Sequence, residues 1–401
     1  MKKRFSLIGA IMLMLLASAL TWLALVIIVG YPFTADSNRS DVVRDYAALL
    51  TKIEEMYIGD YEQDHIAAEA MRAAVYALDD PWSFYMTPEE YESYLASSYN
   101  KYEGLGINIV PDEETGAMLV VSVFRSSPAE IAGILAGDRI IAIDGVDIHW
   151  MSILEVKSVL TRPIGDMVRL TVVRADDTQI IIDAVYSVVY VDPVAFEMLD
   201  GDIGYIILAN FNESAAERFI YAADSLIGQG ARGFVFDFRG NPGGWVTEVT
   251  GILDYLLPEG EIFVTVDRGG NEAVTMSDEN FIDLPAVVLV DRYSFSGAEY
   301  VAALLREYGY AQVVGEQTTG KSRMQTHVVL PGGGAVNLSI AEYLTKNRVS
   351  LHDAGGLKPD HDVILSDEEM SLLYSGRLDV VDDPQLLKAL EVLEREISFG
   401  Y

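Results

Sequence analysis

The chain has 401 residues, and its 61 acidic and 28 basic side chains give a formal net charge of −33 at pH 7. This charge argues against nucleic acid or an anionic membrane surface as a partner, because phosphate groups would repel the protein. Cysteine is absent, which excludes disulfides and cysteine metal sites, while a hydrophobic fraction of 50% is sufficient for packed cores in two or three domains.

The first predicted element is an uncharged apolar segment, Phe5 to Gly30, which follows the basic run Lys2 to Arg4. As a helix rising about 1.5 Å per residue it would be roughly 39 Å long, more than the ~30 Å hydrocarbon thickness of a bilayer. Because basic residues stay on the cytoplasmic side, we predict a cytoplasmic stub and a transmembrane signal anchor in residues 1–35. The rest of the chain is then extracytoplasmic, on a single-pass protein of the cell membrane.

A cleaved signal peptide is the alternative interpretation of this segment. Ala17-Ser18-Ala19 fits a small-residue cleavage site, and cleavage there would release the protein. The residues from Leu20 to Val29 stay apolar beyond that site and would remain on the product, so we favour the uncleaved anchor.

Residues 36–100 are predicted to be an N-terminal helical region. Apolar residues recur at three- and four-residue steps, at Val42, Tyr46, Leu49, Leu50 and Ile53. The later segment DDPWSFYMTPEEYESYL indicates a proline-marked turn and then a helix, with Thr87 as N-cap and Glu89 and Glu90 in its first turn.

Residues 101–190 contain short alternating segments separated by Gly, Asp and Pro, with one helix at Ile153 to Leu160. This pattern indicates a mostly β module. The segment Ser127 to Ile148, SPAEIAGILAGDRIIAIDGVDI, resembles a PDZ domain.

The PDZ resemblance implies a carboxylate-binding loop formed by Gly104, Leu105, Gly106 and Ile107. In such a loop, backbone N–H groups bind the C-terminal carboxylate of a peptide that adds as a strand to the sheet edge. The alternative is that these residues only make a tight turn before a strand.

Residues 191–365 alternate strands with helices, which predicts an α/β core with a largely parallel sheet. After the apolar strand Gly233 to Asp237 comes FRGNPGG, which could be a simple turn. Thr326 to Leu330 and Ala335 to Tyr343 predict a hairpin. Residues 366–401 form a predicted helical tail.

Ser296 lies where the apolar strand Pro285 to Val290 passes into a helix, and N–H groups at a helix start favour a developing oxyanion. A Gly- and Thr-rich loop downstream contains Lys321, and Gln325 follows. The less specific interpretations are that Ser296 and Glu299 form an ordinary S-x-x-E capping box and that Lys321 is a surface charge.

These spaced motifs, DRYSFSGAE, GEQTTGK with Gln325, DPWSFY, FRGNPGG and GLKPD, resemble the C-terminal processing (tail-specific) serine proteases. The resemblance implies a ClpP- or crotonase-like α/β core with an inserted PDZ domain and a Ser-Lys catalytic dyad. Its residue roles are Ser296 as nucleophile, Lys321 as base, Gln325 as the residue that orients the lysine, and Gly243 and Gly297 as oxyanion-hole donors. Gly244 is the second choice for the oxyanion hole.

A lysine base near neutral pH requires a pKa far below its ordinary value of about 10.4, so we predict that Lys321 is desolvated. His327 is the competing base, because in a strand it would face the same side as Gln325. We expect no cofactor and no metal, since no cluster of His and carboxylates at ligand spacing is visible.

The predicted function is a membrane-anchored endopeptidase that cleaves protein substrates recognised by their C-terminal tails. One alternative is a catalytically inactive PDZ adaptor that binds tails and retains the protease fold. Another is an acyl-CoA enzyme of crotonase type, which the acidic composition disfavours. Homo-oligomerisation and an activating partner protein are left open.

Overall fold

The computed structural model describes residues 37–124 and 126–399. The predicted membrane anchor in residues 1–35 lies outside these ranges. Within them, no helix is both long enough and apolar enough to cross a bilayer. The chain divides into two units, Met1–Ala67 and Ala68–Tyr401.

The first unit contains helix α1, Ser37–Met56, and the start of helix α2, Gln63–Tyr76, which continues into the second unit. The three- and four-residue spacing of apolar side chains predicts α1, and the structure confirms the helix. Next come strand β1, Phe84–Met86, and helix α3, Pro88–Ser98. Thr87 caps α3 as predicted: its Oγ1 accepts from the Glu90 N–H at 3.3 Å, and its N–H donates to Glu90 Oε2 at 2.8 Å.

The β-rich module forms one sheet with strand order β3-β4-β5-β7-β8, and β6 pairs with β5. Its elements are β3 Ile107–Pro111, β4 Met118–Val123, α4 Pro128–Ala132, β5 Arg139–Ile143, β6 Val146–Asp147, α5 Ile153–Leu160, β7 Met167–Val173 and β8 Gln179–Val185. The core consists of apolar residues that alternate along these strands, such as Val168, Leu170 and Val172. Strand β3 is an edge strand of this sheet, and β4 is the only described strand that pairs with it.

A two-stranded antiparallel ribbon connects this module to the rest of the second unit. It consists of β2, Lys101–Gly104, and β9, Ser187–Tyr190, which pair from Lys101 with Tyr190 to Gly104 with Ser187. The chain therefore enters and leaves the β-rich module through two neighbouring strands.

The α/β core is built on a sheet of order β10-β11-β12-β15-β16-β19. Its strands are β10 Val194–Leu199, β11 Ile203–Leu208, β12 Gly233–Asp237, β15 Ala286–Val290, β16 Ala311–Gly315 and β19 His361–Asp362. Only the β10–β11 pair is antiparallel among these described strands, which confirms the predicted, largely parallel sheet. Every residue of β12 and β15 is buried, as expected for central strands covered on both faces.

Helices pack on both faces of this sheet. Phe234 and Phe236 face one side, with helices α6 Ala215–Gln229, α7 Val246–Leu256 and α8 Gly297–Glu307. Val235 faces the other side, with the C-terminal helix α10, Pro384–Phe399. The short helix α9, Asp367–Tyr374, and a 3₁₀ turn, Val380–Asp382, precede α10.

A second sheet has strand order β1-β18-β13-β14, with β17 also paired to β18. Its remaining strands are β13 Gly260–Asp267, β14 Glu272–Ser277, β17 Arg323–Val329 and β18 Ala335–Leu344. The predicted hairpin is confirmed as β17–β18, although β17 begins earlier, at Arg323. Because β1 pairs with β18, the DPWSFY segment lies against this hairpin.

Candidate active site

Ser296 lies at a sharp turn between strand β15 and helix α8. Its backbone has φ 58° and ψ −120°, a conformation that residues with a side chain rarely adopt. The Ser296 N–H donates to Glu299 Oε2 at 2.9 Å, as a capping box requires, and the Phe295 N–H donates to the Asn241 carbonyl at 3.1 Å. These bonds stabilise the turn, and Ser296 lines a cavity.

This cavity, of about 510 Å³, brings together most of the catalytic residues predicted from the sequence. Ser296, Lys321, Gln325 and Gly243 line it. Gly297 is buried directly after Ser296, and a Cβ atom on Gly243 would lie 2.7 Å from its N atom. The structure therefore gathers three separate stretches of the chain around the Ser296 hydroxyl.

Lys321 is partly buried, and its Nζ lies over two aromatic rings. It is 4.8 Å from the centre of the Trp82 ring and 5.8 Å from that of Phe295. Desolvation lowers the pKa of Lys321, and the negative charges of Glu299 and Asp80 partly oppose this shift. The direction is the one that a lysine base requires.

Lys321 and Ser296 both belong to the described part of the chain, and no hydrogen bond joins their Nζ and Oγ atoms in this conformation. Gln325 likewise bonds elsewhere: its Nε2 donates to the Arg323 carbonyl at 2.6 Å and to Ser339 Oγ at 3.2 Å. The three side chains share the cavity without forming a connected triad.

The glycines of the FRGNPGG loop pack against the Ser296 turn. Gly243 has φ +86°, and a Cβ atom there would lie 2.7 Å from Ser296 Cβ, so only glycine fits. The Gly243 N–H donates to Asn241 Oδ1 at 2.8 Å. It would have to leave this bond to reach an oxyanion, whereas the Gly297 N–H begins helix α8 and has no acceptor within the helix. Gly243 stays a prediction for this role.

A buried ion network supports this loop from the side of the C-terminal helix. Arg239 forms ion pairs with Asp237 at 2.6 Å and with Asp383 at 2.8 Å, and all three side chains are buried. Gln385 Oε1 accepts a further bond from Arg239 at 3.1 Å. The start of helix α10 therefore positions the loop that contains Gly243.

Glu299 joins the serine turn to the lysine loop, a role that the S-x-x-E pattern does not indicate. Its buried carboxylate accepts from the N–H groups of Gly320 at 2.6 Å and Lys321 at 2.9 Å, in addition to that of Ser296. Thr318 Oγ1 donates to it as well. Burial raises the pKa of Glu299, while these hydrogen bonds lower it.

Tyr343 and Trp82 were also missed as site residues. The Tyr343 hydroxyl contacts both Ser296 Oγ, at 3.2 Å, and the Lys321 carbonyl. The DPWSFY motif marked the segment that contains Trp82 but gave no sign that its ring lies against Lys321. For Tyr343, no local signal distinguishes it from the other alternating residues of its strand.

His327, the competing base, lies on β17 and also lines the cavity. Its ring is exposed and contacts the rings of Tyr91, at 5.4 Å between centroids, and Tyr94, at 6.0 Å. It therefore packs against helix α3, whereas Lys321 packs beside Phe295, the neighbour of Ser296.

The loop Gly104 to Ile107 lies beside the free edge of β3. Gly106 has φ +83°, and a Cβ atom there would lie 2.2 Å from Ser127 Cβ. The Gly106 carbonyl accepts from the Phe124 N–H at 2.9 Å, and the Leu105 carbonyl from the Ala129 N–H at 2.8 Å. These contacts hold the loop in place within the module, and its role in carboxylate binding stays a prediction.

In residues 37–124 and 126–399, no group of three or more His, Cys, Asp or Glu side chains is arranged to hold a metal ion.

Comparison with known proteins places this site in a family. Peptidase family S41 matches residues 202–363, and the PDZ domain matches residues 119–174. The chain is 33% identical over 316 residues to the carboxy-terminal processing protease CtpA of Bacillus subtilis. This alignment covers 77% of this chain and 67% of that protein. It is 32% identical over 334 residues to a carboxyl-terminal-processing protease of Picosynechococcus sp., covering 80% of each.

Among solved structures, one assigned to the S41 proteases, from Bacteroides fragilis, has a TM-score of 0.56 at 20% identity, covering 80% of this chain and 87% of that one. This is a likeness of fold. The fold and the matches together define a serine-type peptidase with a PDZ domain. The chain belongs to the carboxy-terminal processing proteases of peptidase family S41. These comparisons do not test the ClpP- or crotonase-like core or the domain limits expected from the sequence, so both stay predictions.

Proposed function

We propose that the protein is a membrane-anchored, extracytoplasmic endopeptidase that cleaves protein substrates near their C-termini, with Ser296 as nucleophile and Lys321 as base. One observation supports this most directly. The strained Ser296 turn and a lysine whose pKa is lowered by desolvation line the same cavity.

In the proposed reaction the neutral Lys321 amine takes the Ser296 proton as Oγ attacks the peptide carbonyl. The C–N bond of the resulting tetrahedral intermediate breaks, the leaving amine takes the proton from the Lys321 ammonium, and an acyl-enzyme ester remains. Water then attacks the ester while Lys321 accepts its proton. Return of that proton to Ser296 Oγ releases the carboxylic acid product and restores the starting state.

This reaction requires Lys321 Nζ to move from the Trp82 ring to Ser296 Oγ. A lysine side chain has four rotatable bonds, and the shared cavity provides the space for such a movement. In the productive state we assign Gln325 to orient the lysine, because both residues line the same cavity. The Gly297 N–H, with Gly243 or Gly244, would stabilise the oxyanion.

The PDZ module is proposed to bind the C-terminal tail of the substrate. The free edge of β3 can accept a peptide strand, and the loop Gly104 to Ile107 lies at the start of that strand. Tyr102 lies against this loop, where burial raises its pKa to about 12 and a backbone hydrogen bond from Gly106 opposes the shift.

Membrane anchoring is proposed from the sequence of residues 1–35 alone, where a basic run precedes a long apolar segment. Extraction of membranes with alkaline carbonate tests it on the full chain. We expect the protein to stay in the membrane fraction and external protease to digest the part after the anchor. Release into the supernatant would indicate the cleaved signal peptide instead.

The proteolytic proposal is tested with a set of peptides that differ only in their last residues. We expect the full chain to cleave a subset selected by the tail, Ser296→Ala to bind the same subset without cleavage, and Lys321→Ala to be inactive. His327→Ala is the matched control and should retain activity. Loss of activity in His327→Ala with activity retained in Lys321→Ala would overturn the lysine assignment, and cleavage by Ser296→Ala would overturn the nucleophile.

A further inference from the structure

The hydroxyl of Tyr343 forms a bridge between the nucleophile and the main chain of the proposed base. It lies 3.2 Å from Ser296 Oγ and bonds the carbonyl of Lys321. A carbonyl oxygen can only accept, so the single Tyr343 proton is donated to Lys321. In the second contact Ser296 is therefore the donor, and its hydroxyl proton points at the tyrosine oxygen.

We propose that Tyr343 is a positioning residue for the peptidase reaction, holding Ser296 Oγ and the Lys321 backbone at a fixed separation; this inference rests on the proposed roles of Ser296 and Lys321. This role requires only that the Tyr343 hydroxyl donates one hydrogen bond and accepts another. Tyr343 neither gains nor loses a proton in any step.

The position of the Tyr343 ring is determined by its packing. Only 4% of the residue is exposed, and its ring lies 5.4 Å from the Tyr300 ring and 5.6 Å from the Phe263 ring. The Tyr343 N–H also donates to the Ser322 carbonyl at 2.9 Å. Strand β18 is thus bonded at two successive carbonyls to the lysine loop, through the main chain and the side chain of one residue.

Burial raises the pKa of the Tyr343 hydroxyl, although the Ser296 hydrogen bond opposes this. The hydroxyl therefore stays protonated at neutral pH and cannot act as the base. Before attack, the Ser296 proton must turn from Tyr343 to Lys321 Nζ. Until then, Tyr343 keeps Oγ in one orientation beside the loop that supplies the amine.

The structure supplies a matched control for this proposal. Tyr300 is also buried, at 1% exposure, and its hydroxyl also donates to a backbone carbonyl, that of Leu344, at 3.1 Å. The Tyr300 hydroxyl bonds neither Ser296 nor Lys321, and the main-chain N–H of Tyr300, which donates to the Ser296 carbonyl at 2.9 Å, is unaffected by Tyr300→Phe. Tyr343→Phe and Tyr300→Phe each remove one buried tyrosine-to-carbonyl hydrogen bond from the same aromatic cluster, but only the first removes the bridge.

The test compares kcat and KM of both full-chain variants on a tail-selected peptide, the rate of Ser296 labelling by a fluorophosphonate probe, and the melting temperature. For Tyr343→Phe we expect kcat and the labelling rate to fall by about 10- to 100-fold, in the range that misplacement of reacting groups produces. KM should stay within about twofold, and Tyr300→Phe should retain kcat. If Tyr343→Phe does not fold, Tyr343→Met replaces it, since the flexible thioether can fill the space.

Two outcomes would overturn the inference: kcat of Tyr343→Phe within about twofold of wild type, or an equal loss in Tyr300→Phe, which would show a structural effect only. Failure of the proposed function is distinguishable from both. In that case the wild-type chain itself shows no labelling or cleavage that depends on Ser296 and Lys321.

Discussion

The Nζ atom of Lys321 lies 4.8 Å from the centre of the Trp82 ring, so an aromatic face covers one side of the proposed base. Asn337 Nδ2 donates to the Trp82 carbonyl at 3.1 Å, and the Ser339 N–H donates to Ser83 Oγ at 3.0 Å. Strand β18 therefore fixes the segment that presents this ring. A cation–π contact of about 0.5–2 kcal/mol favours the ammonium form, yet the pKa of Lys321 is lowered, so desolvation is the larger effect.

Trp82→Ala should therefore move the acid limb of the kcat/KM profile to higher pH. Water enters where the indole was, the pKa of Lys321 rises towards its ordinary value, and a smaller fraction of the amine is neutral at pH 7. Trp82→Phe keeps an aromatic cover and should show a smaller movement. The measurement is kcat/KM across the pH range, and a limb that stays in place or moves to lower pH in Trp82→Ala would contradict it.

Glu299→Gln should move the same limb in the opposite direction. The Glu299 charge raises the pKa of Lys321, so its removal lowers that pKa further. An amide also has one acceptor oxygen for several donors, so we expect kcat to fall and the free energy of unfolding to fall by about 1–3 kcal/mol. A pH profile combined with chemical unfolding separates the two effects. A shift of the limb to higher pH would refute the electrostatic argument.

Lys321→Met should remove a pH dependence of stability. The pKa of Lys321 is lower in the folded state than the ordinary 10.5. At pH values between the folded-state pKa and 10.5, the unfolded chain binds more protons than the folded chain, so the free energy of unfolding rises with pH. The free energy of unfolding of the wild type minus that of Lys321→Met should therefore increase with pH across this window. Lys358→Met, at an exposed lysine, is the control: it retains Lys321 and should retain the pH dependence that Lys321 causes.

Ser296→Gly should abolish activity and leave the protein more stable than Ser296→Ala. The φ of 58° and ψ of −120° at Ser296 destabilise the fold by about 1–3 kcal/mol, while glycine costs about 0.5–1 kcal/mol in backbone entropy. Both Ser296→Gly and Ser296→Ala lose the bond to Tyr343, but only Ser296→Ala retains the strain. We therefore expect Ser296→Gly to be about 1 kcal/mol more stable than Ser296→Ala in urea unfolding. Equal stability of the two variants would argue against strain at this turn.

Gly106→Ala should weaken binding of C-terminal tails. The new Cβ would have a positive φ and would lie 2.2 Å from Ser127 Cβ, so the loop has to move. Gly133→Ala is the matched control, because Gly133 also has a positive φ, of +87°, but has open space around it. Titration of tail peptides in the Ser296→Ala background measures the effect. Equal affinities in the two glycine variants would separate this loop from tail binding.

Local pattern was sufficient to predict the elements that form the site. The periodicity around Val42, the Thr87 cap, the buried strands that precede Gly240 and Ser296, and the β17–β18 hairpin all follow from interactions within a few residues. The alternation of strands and helices then predicts a parallel sheet, which brings the strand ends and their loops to one edge. Ser296, Lys321 and Gln325 were chosen because the spacing of their motifs resembles that of the C-terminal processing proteases.

Tertiary structure alone decided which atoms meet. Trp82 reaches Lys321 because β1 pairs with β18, Tyr343 reaches Ser296 because β18 crosses the site, and Glu299 faces the lysine loop because helix α8 is buried. These contacts join residues far apart in the chain, and no local propensity encodes them. The sequence therefore determined the chemical groups of the site, and the packing of distant strands determined their partners, burial and protonation, since desolvation depends on every element that surrounds a group.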